Sequence, residues 1–277
     1  QWINNAKNEY KYNANTNLID ERYYSWDSAT STWQFNSKET YEYNDVNKII
    51  SNTYESFDYS TGTTDYGYKG LFSYNSNNQV VQSIDQELDK DVWVNNLKSV
   101  YTYSDNRISE IIEQSWNGST WVYVVAAEKQ DASVKTIVSY NANGFISQLI
   151  YYEWENDSWS LSGKEEYTYT ANNKILLELS QDWNGSDYET TYKGEYNYDT
   201  NGNLILDKQT GYKDGALEFT DETSYSFDTA QMMNSFTHPF KDKFGFEALT
   251  GQNNKFINKL IGSSSSDEYK TTYNYGE

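Results

Sequence analysis

Residues 167–204 read YTYTANNKILLELSQDWNGSDYETTYKGEYNYDTNGNL, and this stretch decides the fold. It holds one full period of 29 residues and the opening of the next: Tyr167 returns as Tyr196, Tyr169 as Tyr198 and Ile175 as Leu204. Working outward, Val138, Tyr140 and Ile146 stand one period earlier, and Tyr225, Phe227 and Met233 one period later. Trp154, Trp183 and Tyr212 follow the same spacing. A fixed period of this length means one supersecondary unit, copied and stacked, that cannot bury its apolar face alone.

The repeat reaches the N-terminus with small changes of length. The second aromatic of each Tyr-x-Tyr-like pair falls at Tyr12, Tyr43, Tyr74, Tyr103, Tyr140, Tyr169, Tyr198 and Phe227, at intervals of 31, 31, 29, 37, 29, 29 and 29. Six residues later comes an aliphatic, and fourteen later a large apolar residue, as with Leu18 and Trp26 after Tyr12. The fourth unit has Ile108 and Trp116 one residue early, so the stretch between Tyr103 and Ile108 must be a loop. A one-residue slip inside a strand would turn every later side chain to the wrong face.

Within a unit the spacings are even where strand is expected and broken where a turn is expected. Ile146, Ile150, Tyr152 and Trp154 share one parity, and so do Trp159, Leu161, Tyr167 and Tyr169. Period two is the strand period, so all of these are predicted on a single face, with Tyr167 opposite Leu177. Between the tip aromatics lie Asn-Gly-Ser-Thr (117–120), Glu-Asn-Asp-Ser (155–158), Asn-Gly-Ser-Asp (184–187) and Lys-Asp-Gly-Ala (213–216). Asn, Asp and Gly tolerate positive φ, so four-residue hairpin loops fit there. Trp26 then faces Trp33, Trp116 faces Trp121, Trp154 faces Trp159, and Trp183 faces Tyr188. Such cross-strand pairs contribute roughly 0.2–1 kcal/mol each. Five-residue loops such as 141–145 and 199–203 close the other end.

The predicted fold is all-β: a meander of about seven β-hairpins forming one large curled or spiral antiparallel sheet, with an irregular C-terminal cap. Aromatics are 17% of the chain, with 28 Tyr, 9 Trp and a single Pro, which suits pleated strands. The alternate positions Lys164, Glu166 and Thr168 are polar, so one face is expected aromatic and the other wet. A transmembrane barrel needs an apolar outward band, which these polar positions deny. The repeat domain is assigned to residues 1–228 and the cap, with a final strand, to 229–277. In the cap, Phe-Glu-Ala-Leu (246–249) and Lys-Phe-Ile-Asn-Lys-Leu-Ile (255–261) are expected as short helices or turns, and Tyr269–Tyr275 as a returning strand. Phe236, Phe240, Phe244, Phe246 and Leu249 are expected to fold over the aromatic face. The segment Ala126–Ala132, part of an insertion before Tyr140, is expected as a loop or bulge.

Lys and Arg total 21 against 41 Asp and Glu, a net charge of −20. Phosphate-directed nucleic-acid binding and docking on an anionic membrane are disfavoured by that balance. No Cys is present, which removes disulfides, zinc thiolates and thiol catalysis. The one His, His238, stands in the cap segment, and no residue set has the spacing of a catalytic constellation. No cofactor and no enzymatic activity are expected. Asp85, Glu87, Asp89 and Asp91 form the densest acidic run, at a hairpin tip, and leave any metal unknown, since no Asp-x-Asp-x-Asp-Gly loop occurs.

Tyr-Asn-Tyr-Asp-Thr-Asn-Gly-Asn-Leu (196–204) resembles the tyrosine–aspartate (YD) repeat of RHS-type proteins, and residues 167–175 and 138–146 match it more loosely. The unit here is longer, and its tips carry Trp-x4-Trp. Across the whole chain the likeness is closer to Tyr-rich secreted proteins of Flavobacteriia and their relatives in the Bacteroidota. The shared features are the repeats, then His-Pro-Phe-Lys-Asp-Lys (238–243), Lys-Leu-Ile (259–261) and Thr-Thr-Tyr-Asn-Tyr (271–275). The resemblance implies an extracellular or cell-surface setting and export by type IX secretion. Asp27-Ser28-Ala29 and Asp228-Thr229-Ala230 look like the short O-glycosylation signal of that phylum. Residues 1–10 lack a charged region followed by an apolar stretch, as expected of a mature exported form.

The leading functional expectation is a non-enzymatic extracellular or cell-surface repeat scaffold for adhesion or partner binding. The alternative is a carbohydrate-binding module using Trp26, Trp33, Trp116, Trp121, Trp154, Trp159, Trp183 and Tyr188. A third is an RHS-like shell fragment enclosing a cargo peptide. Partners are a protein or a glycan, with no nucleic acid and no membrane insertion, and the oligomeric state is left open.

Overall fold

A computed structural model describes residues 4–125, 133–232, 258–265 and 270–272. Among them are eighteen strands and no helix, and every register pairing given below is antiparallel. The all-β hairpin meander expected from the period is therefore present. The strands form two compact units: residues 1–136 with 153–160, and residues 137–152 with 161–277.

In the first unit β1 (Ala6–Tyr12) pairs with β2 (Leu18–Asp27), then follow β3 (Thr32–Tyr43), β4 (Ile49–Phe57), β5 (Thr64–Tyr74), β6 (Val80–Asp89), β7 (Val92–Ser104), β8 (Arg107–Trp116) and the short β9 (Trp121–Val122). In the second unit β12 (Ser158–Tyr169) pairs with β13 (Ile175–Trp183), then β14 (Tyr188–Tyr198), β15 (Leu204–Lys213), β16 (Ala216–Met232), β17 (Asn258–Ser265) and β18 (Lys270–Thr272). Strands β10 (Val134–Tyr140) and β11 (Ile146–Glu155) complete the set.

β-Bulges recur at both ends of the hairpins, and they overturn the single-face expectation. Tyr169 faces Ile175, but Thr168 faces Leu177 and Tyr167 faces Glu178, so Leu176 is the extra residue and Tyr167 does not meet Leu177. The same shift follows Tyr12, Tyr43, Tyr74, Tyr103 and Tyr198. A second bulge near the tip leaves Thr191 extra, because Gln181 faces Thr190 while Ser180 faces Tyr192. One extra residue exchanges the faces for everything beyond it. The Tyr-x-Tyr aromatics therefore lie on one face (Tyr167, Glu178, Gly194, Tyr196, Asp207), and the tip aromatics lie on the other with Leu177, Leu179 and Lys193. We call these the tyrosine face and the tryptophan face. Neither is wholly apolar: Lys164 and Glu166 are half-buried, and among the described residues the buried apolar ones are Val124, Val138, Tyr196 and Leu204.

Two tips are tighter than expected. Asn156–Asp157 and Asp214–Gly215 are two-residue turns with both central residues at positive φ, while Asn-Gly-Ser-Thr and Asn-Gly-Ser-Asp keep four-residue loops with Gly118 and Gly185 near φ 97° and 99°. The positive-φ pair matches the right-handed strand twist. The shortened fourth unit turns at Asp105–Asn106, and Tyr103 still faces Ile108, so the missing residue falls in a turn as expected.

Residues 126–132 lie outside the described set, but the insertion's neck is clear. Strand pairing stops at Val122; Val124 N–H then donates to Ser133 Oγ at 3.0 Å, and Ser133 N–H returns to the Val124 carbonyl at 2.9 Å. At the C-terminal end β16 runs through Asp228 to Met232, and Asn258–Ile261, expected as part of a helix or turn, are strand. Phe227 faces Leu260 and Ser226 faces Gly262, the same bulged register as Tyr198 with Leu204, so the repeat register resumes at Leu260. Lys270–Thr272 form the returning strand. Phe236, Phe240, Phe244, Phe246 and Leu249 lie outside the described residues.

Candidate functional site

The loop end of each hairpin is built by hydrogen bonds. The first loop residue is Asn13, Asn44, Asn75, Asn141 or Asp199, and its side-chain Oδ1 accepts backbone N–H groups two and four residues on; for Asn75 these come from Asn77 at 2.9 Å and Gln79 at 3.0 Å. The fourth loop residue has positive φ, as in Asn47, Asn78, Gly144, Asn173 and Gly202. The tyrosine before the loop reaches back one unit: Tyr43, Tyr74, Tyr103, Tyr169 and Tyr198 hydroxyls donate to the carbonyls of Leu18, Ile49, Val80, Ile146 and Ile175 at 2.6–3.0 Å. These residues close one unit onto the next.

At the tips, the predicted aromatic pairs form. Trp26 faces Trp33, Trp116 faces Trp121 and Trp183 faces Tyr188 in register. Their ring centroids, and those of Trp154 and Trp159, are 5.0–5.2 Å apart and meet edge to face. All eight rings are half-buried. Tyr123, at the neck of the insertion, packs on both Trp154 and Trp159 at 4.6 and 5.0 Å. In the third hairpin Leu88 faces Trp93, and their side chains fill the space above Gly67, where a Cβ would collide.

The tryptophan face also carries a lysine series that sequence reasoning missed. Lys7, Lys38, Lys69, Lys98, Lys135, Lys164 and Lys193 each stand five residues before the second tyrosine of their unit, and Glu222 takes that place before Phe227. Several of their ammonium groups lie over aromatic rings at or next to the tips: Lys7 over Tyr24 at 4.1 Å, Lys164 over Tyr188 at 4.5 Å, Lys98 over Trp121 at 5.1 Å and Lys135 over Trp159 at 5.5 Å. Four are also ion-paired, with Glu9, Glu55, Glu166 and Glu195 at 2.7–2.8 Å. The signal was present in the sequence as a recurrence; a polar residue on an expected wet face simply looked solvated.

The tyrosine face has different chemistry. Tyr68 donates to Asp85 at 2.8 Å, Tyr167 to Glu165 at 2.5 Å and Tyr196 to Glu178 at 3.3 Å. Burial first, and then these carboxylates, push the hydroxyls of Tyr68 and Tyr167 well above the ordinary tyrosine range; burial and the Glu39 carboxylate do the same to Tyr41. Tyr196 is raised by burial and by Tyr192, Glu178 and Asp207.

The acidic run lies along β6 and its turn, with Asp85, Glu87 and Asp89 at alternate positions of the strand. Asp85 and Glu87 accept from Tyr68 and Asn96, Asp89 faces Val92, and Asp91 sits in the turn at φ 65°. Among the described residues no three His, Cys, Asp or Glu are placed to hold a metal. His238 lies outside the described residues. No described helix is long and apolar enough to cross a membrane.

No protein-family profile matches this chain, and no curated protein matches it. Among solved structures it is similar to TcdB2-TccC3-TEV (11% identity, 82% of this chain, 12% of that chain, TM-score 0.36). It is also similar to the Photorhabdus luminescens Tc holotoxin pore (13% identity, 82% and 12%, TM-score 0.39). A porin-like protein from Bacteroides uniformis matches at 12% identity over 80% of this chain and 91% of that one, with TM-score 0.37. The chain thus spans only 12% of the length of each of these two toxin chains.

Proposed function

We propose that this chain is a non-enzymatic repeat scaffold, displayed outside the cell or on its surface, that adheres to or organises a partner. The observation carrying this reading is the repeated tyrosine stitch. Five tyrosine hydroxyls, each at the same place in its unit, are committed to the carbonyl of the preceding unit. Tip aromatics and lysines are likewise engaged with one another. Side chains used this way set the length and regularity of a surface, which is what a scaffold needs. The direct test is a pull-down from cell-surface and secreted fractions beside a glycan array, both with the purified full chain. A specific protein partner with no glycan hits supports the scaffold. Selective glycan binding abolished by Trp154→Ala would transfer the reading to a carbohydrate-binding module.

A further inference from the structure

The two faces of the first unit treat charge differently. On the tryptophan face, Arg22 stands directly opposite Lys38. Each of these cations has a carboxylate, Asp20 at 2.8 Å and Glu55 at 2.7 Å. On the tyrosine face, Glu21 stands directly opposite Glu39. Like charges directly opposed on one face of a sheet are destabilising unless neutralised.

No strand cation is available to neutralise them. By register and alternation, Lys7, Lys11, Arg22, Lys38, Lys69 and Lys98, all the Lys and Arg of β1–β7, lie on the tryptophan face. The register instead aligns Tyr10, Glu21, Glu39, Tyr54, Tyr68 and Glu87 side by side across β1–β6. At roughly 4.8 Å per strand this row is about 24 Å long. Asp85 stands beside its end, and Tyr10, Tyr23 and Tyr66 on the same face are 50%, 40% and 51% exposed.

We propose that this tyrosine–carboxylate row binds an extended, arginine-rich segment of a partner protein. The partner supplies the positive charge that Glu21 and Glu39 lack within their own face. Guanidinium groups suit the site because they pair with carboxylates and stack on tyrosine rings. A segment of about seven residues at about 3.3 Å per residue spans the row. This inference rests on the partner-binding reading and names the chemistry of the partner.

The test uses the full chain and a fluorescein-labelled octapeptide of alternating Arg and Ser, read by anisotropy at about 0.15 M salt. A double variant Glu21→Gln/Glu39→Gln is compared with Glu42→Gln/Glu110→Gln, which removes the same charge from the tryptophan face. The first should weaken binding about tenfold or more and the second less than about threefold, because a contacting pair acts locally while a remote pair is screened. Melting temperature provides a check on folding: Glu21→Gln/Glu39→Gln should melt no lower than the parent, since it relieves a repulsion. Equal losses in the two variants, or no binding by the parent chain, overturn the inference. In that event a partner captured by pull-down would leave the scaffold reading standing.

Discussion

The two ends of each hairpin solve the same problem by different means. At the loop end the same residues recur: an Asn or Asp that accepts two backbone N–H groups, and a tyrosine that donates to the preceding unit. At the tip end the pair drifts from Trp/Trp to Phe/Thr, Leu/Trp, Trp/Tyr and Tyr/Leu. The difference follows from directionality. A hydrogen bond needs a donor at one distance and angle, so residue identity is held. Apolar contact needs only area, so residues of comparable bulk interchange.

The largest effect expected from this contrast is at alkaline pH. Tyr41, Tyr68, Tyr151, Tyr167 and Tyr196 are all raised above the ordinary value of 10.0, chiefly by burial. A raised folded pKa means the fold favours the neutral phenol. That stabilisation is intact below the unfolded value, about 10, and is lost as pH climbs from there toward the folded value. Urea melts taken from neutral pH to beyond about 10 should show stability falling steadily in that upper window. Hydrogen exchange should show tyrosine-bearing segments such as 66–74 opening while the tip Trp fluorescence is still native. Tips that fail first would break the contrast.

Next in size is Trp154→Ala. Trp154 touches Trp159 and Tyr123, whereas Trp26 makes its ring contact with Trp33. Full burial of such a ring is worth about 3–5 kcal/mol; for these half-buried rings about 2–3 kcal/mol is expected at Trp154 and about 1–2 at Trp26. Equal losses in chemical denaturation would mean that Tyr123 adds nothing to its tip. Smaller again is Tyr74→Phe, which removes only the hydroxyl that donates to the Ile49 carbonyl at 2.6 Å. A loss of about 1 kcal/mol is expected, equivalent to about 2–4 °C in melting temperature. Tyr12→Phe, at a 57% exposed position, should be near silent.

What was legible in the sequence divides along the same line. The period, the tip pairs, the Asn-rich loops and the turn at the shortened fourth unit could all be read, because each is a local pattern of fixed spacing. The two faces could not. The bulges at Leu176 and Thr191 each add one residue, so together they keep the spacing between successive tyrosines odd or even as before, and parity counting passes over both. The resumed repeat at Leu260 was hidden for another reason: it stands 33 residues after Phe227, where other units place their aliphatic at six. Apolar spacing alone then favoured helix or turn over strand for Lys-Leu-Ile. The lysine series was legible in principle, and the cross-strand row of Tyr10, Glu21 and Glu39 was not, since it depends on register through bulges.

The smallest expected loss that a melt should still resolve concerns the lysines, and it separates charge from packing at the tip end. Lys164 lies 2.8 Å from Glu166 and 4.5 Å from the Tyr188 ring centre, so two attractive terms act on one ammonium group. Its side chain is 17% exposed, which makes its methylene stem part of the packing between β12 and β14. Lys164→Met keeps most of the stem volume and removes the charge. If the ammonium matters mainly as a cation over tyrosine, Met should cost about 0.5–1 kcal/mol, and raising salt to about 1 M should narrow the gap only slightly, since a cation held against a ring is poorly screened. If the ion pair with Glu166 dominates, Glu166→Gln alone should reproduce most of the loss, and salt should erase it. The structure favours the ring, because Lys7, Lys38, Lys98, Lys135 and Lys164 all lie over a ring at 4.1–5.9 Å, while the carboxylate partner shifts between the residue two ahead in its own strand, as in Lys164 with Glu166, and a residue on the next strand, as in Lys38 with Glu55. Lys164→Met and Lys164→Met/Glu166→Gln should therefore melt within about 1 °C of each other, and a clearly lower double variant would return the tip to the same directional logic as the loop end.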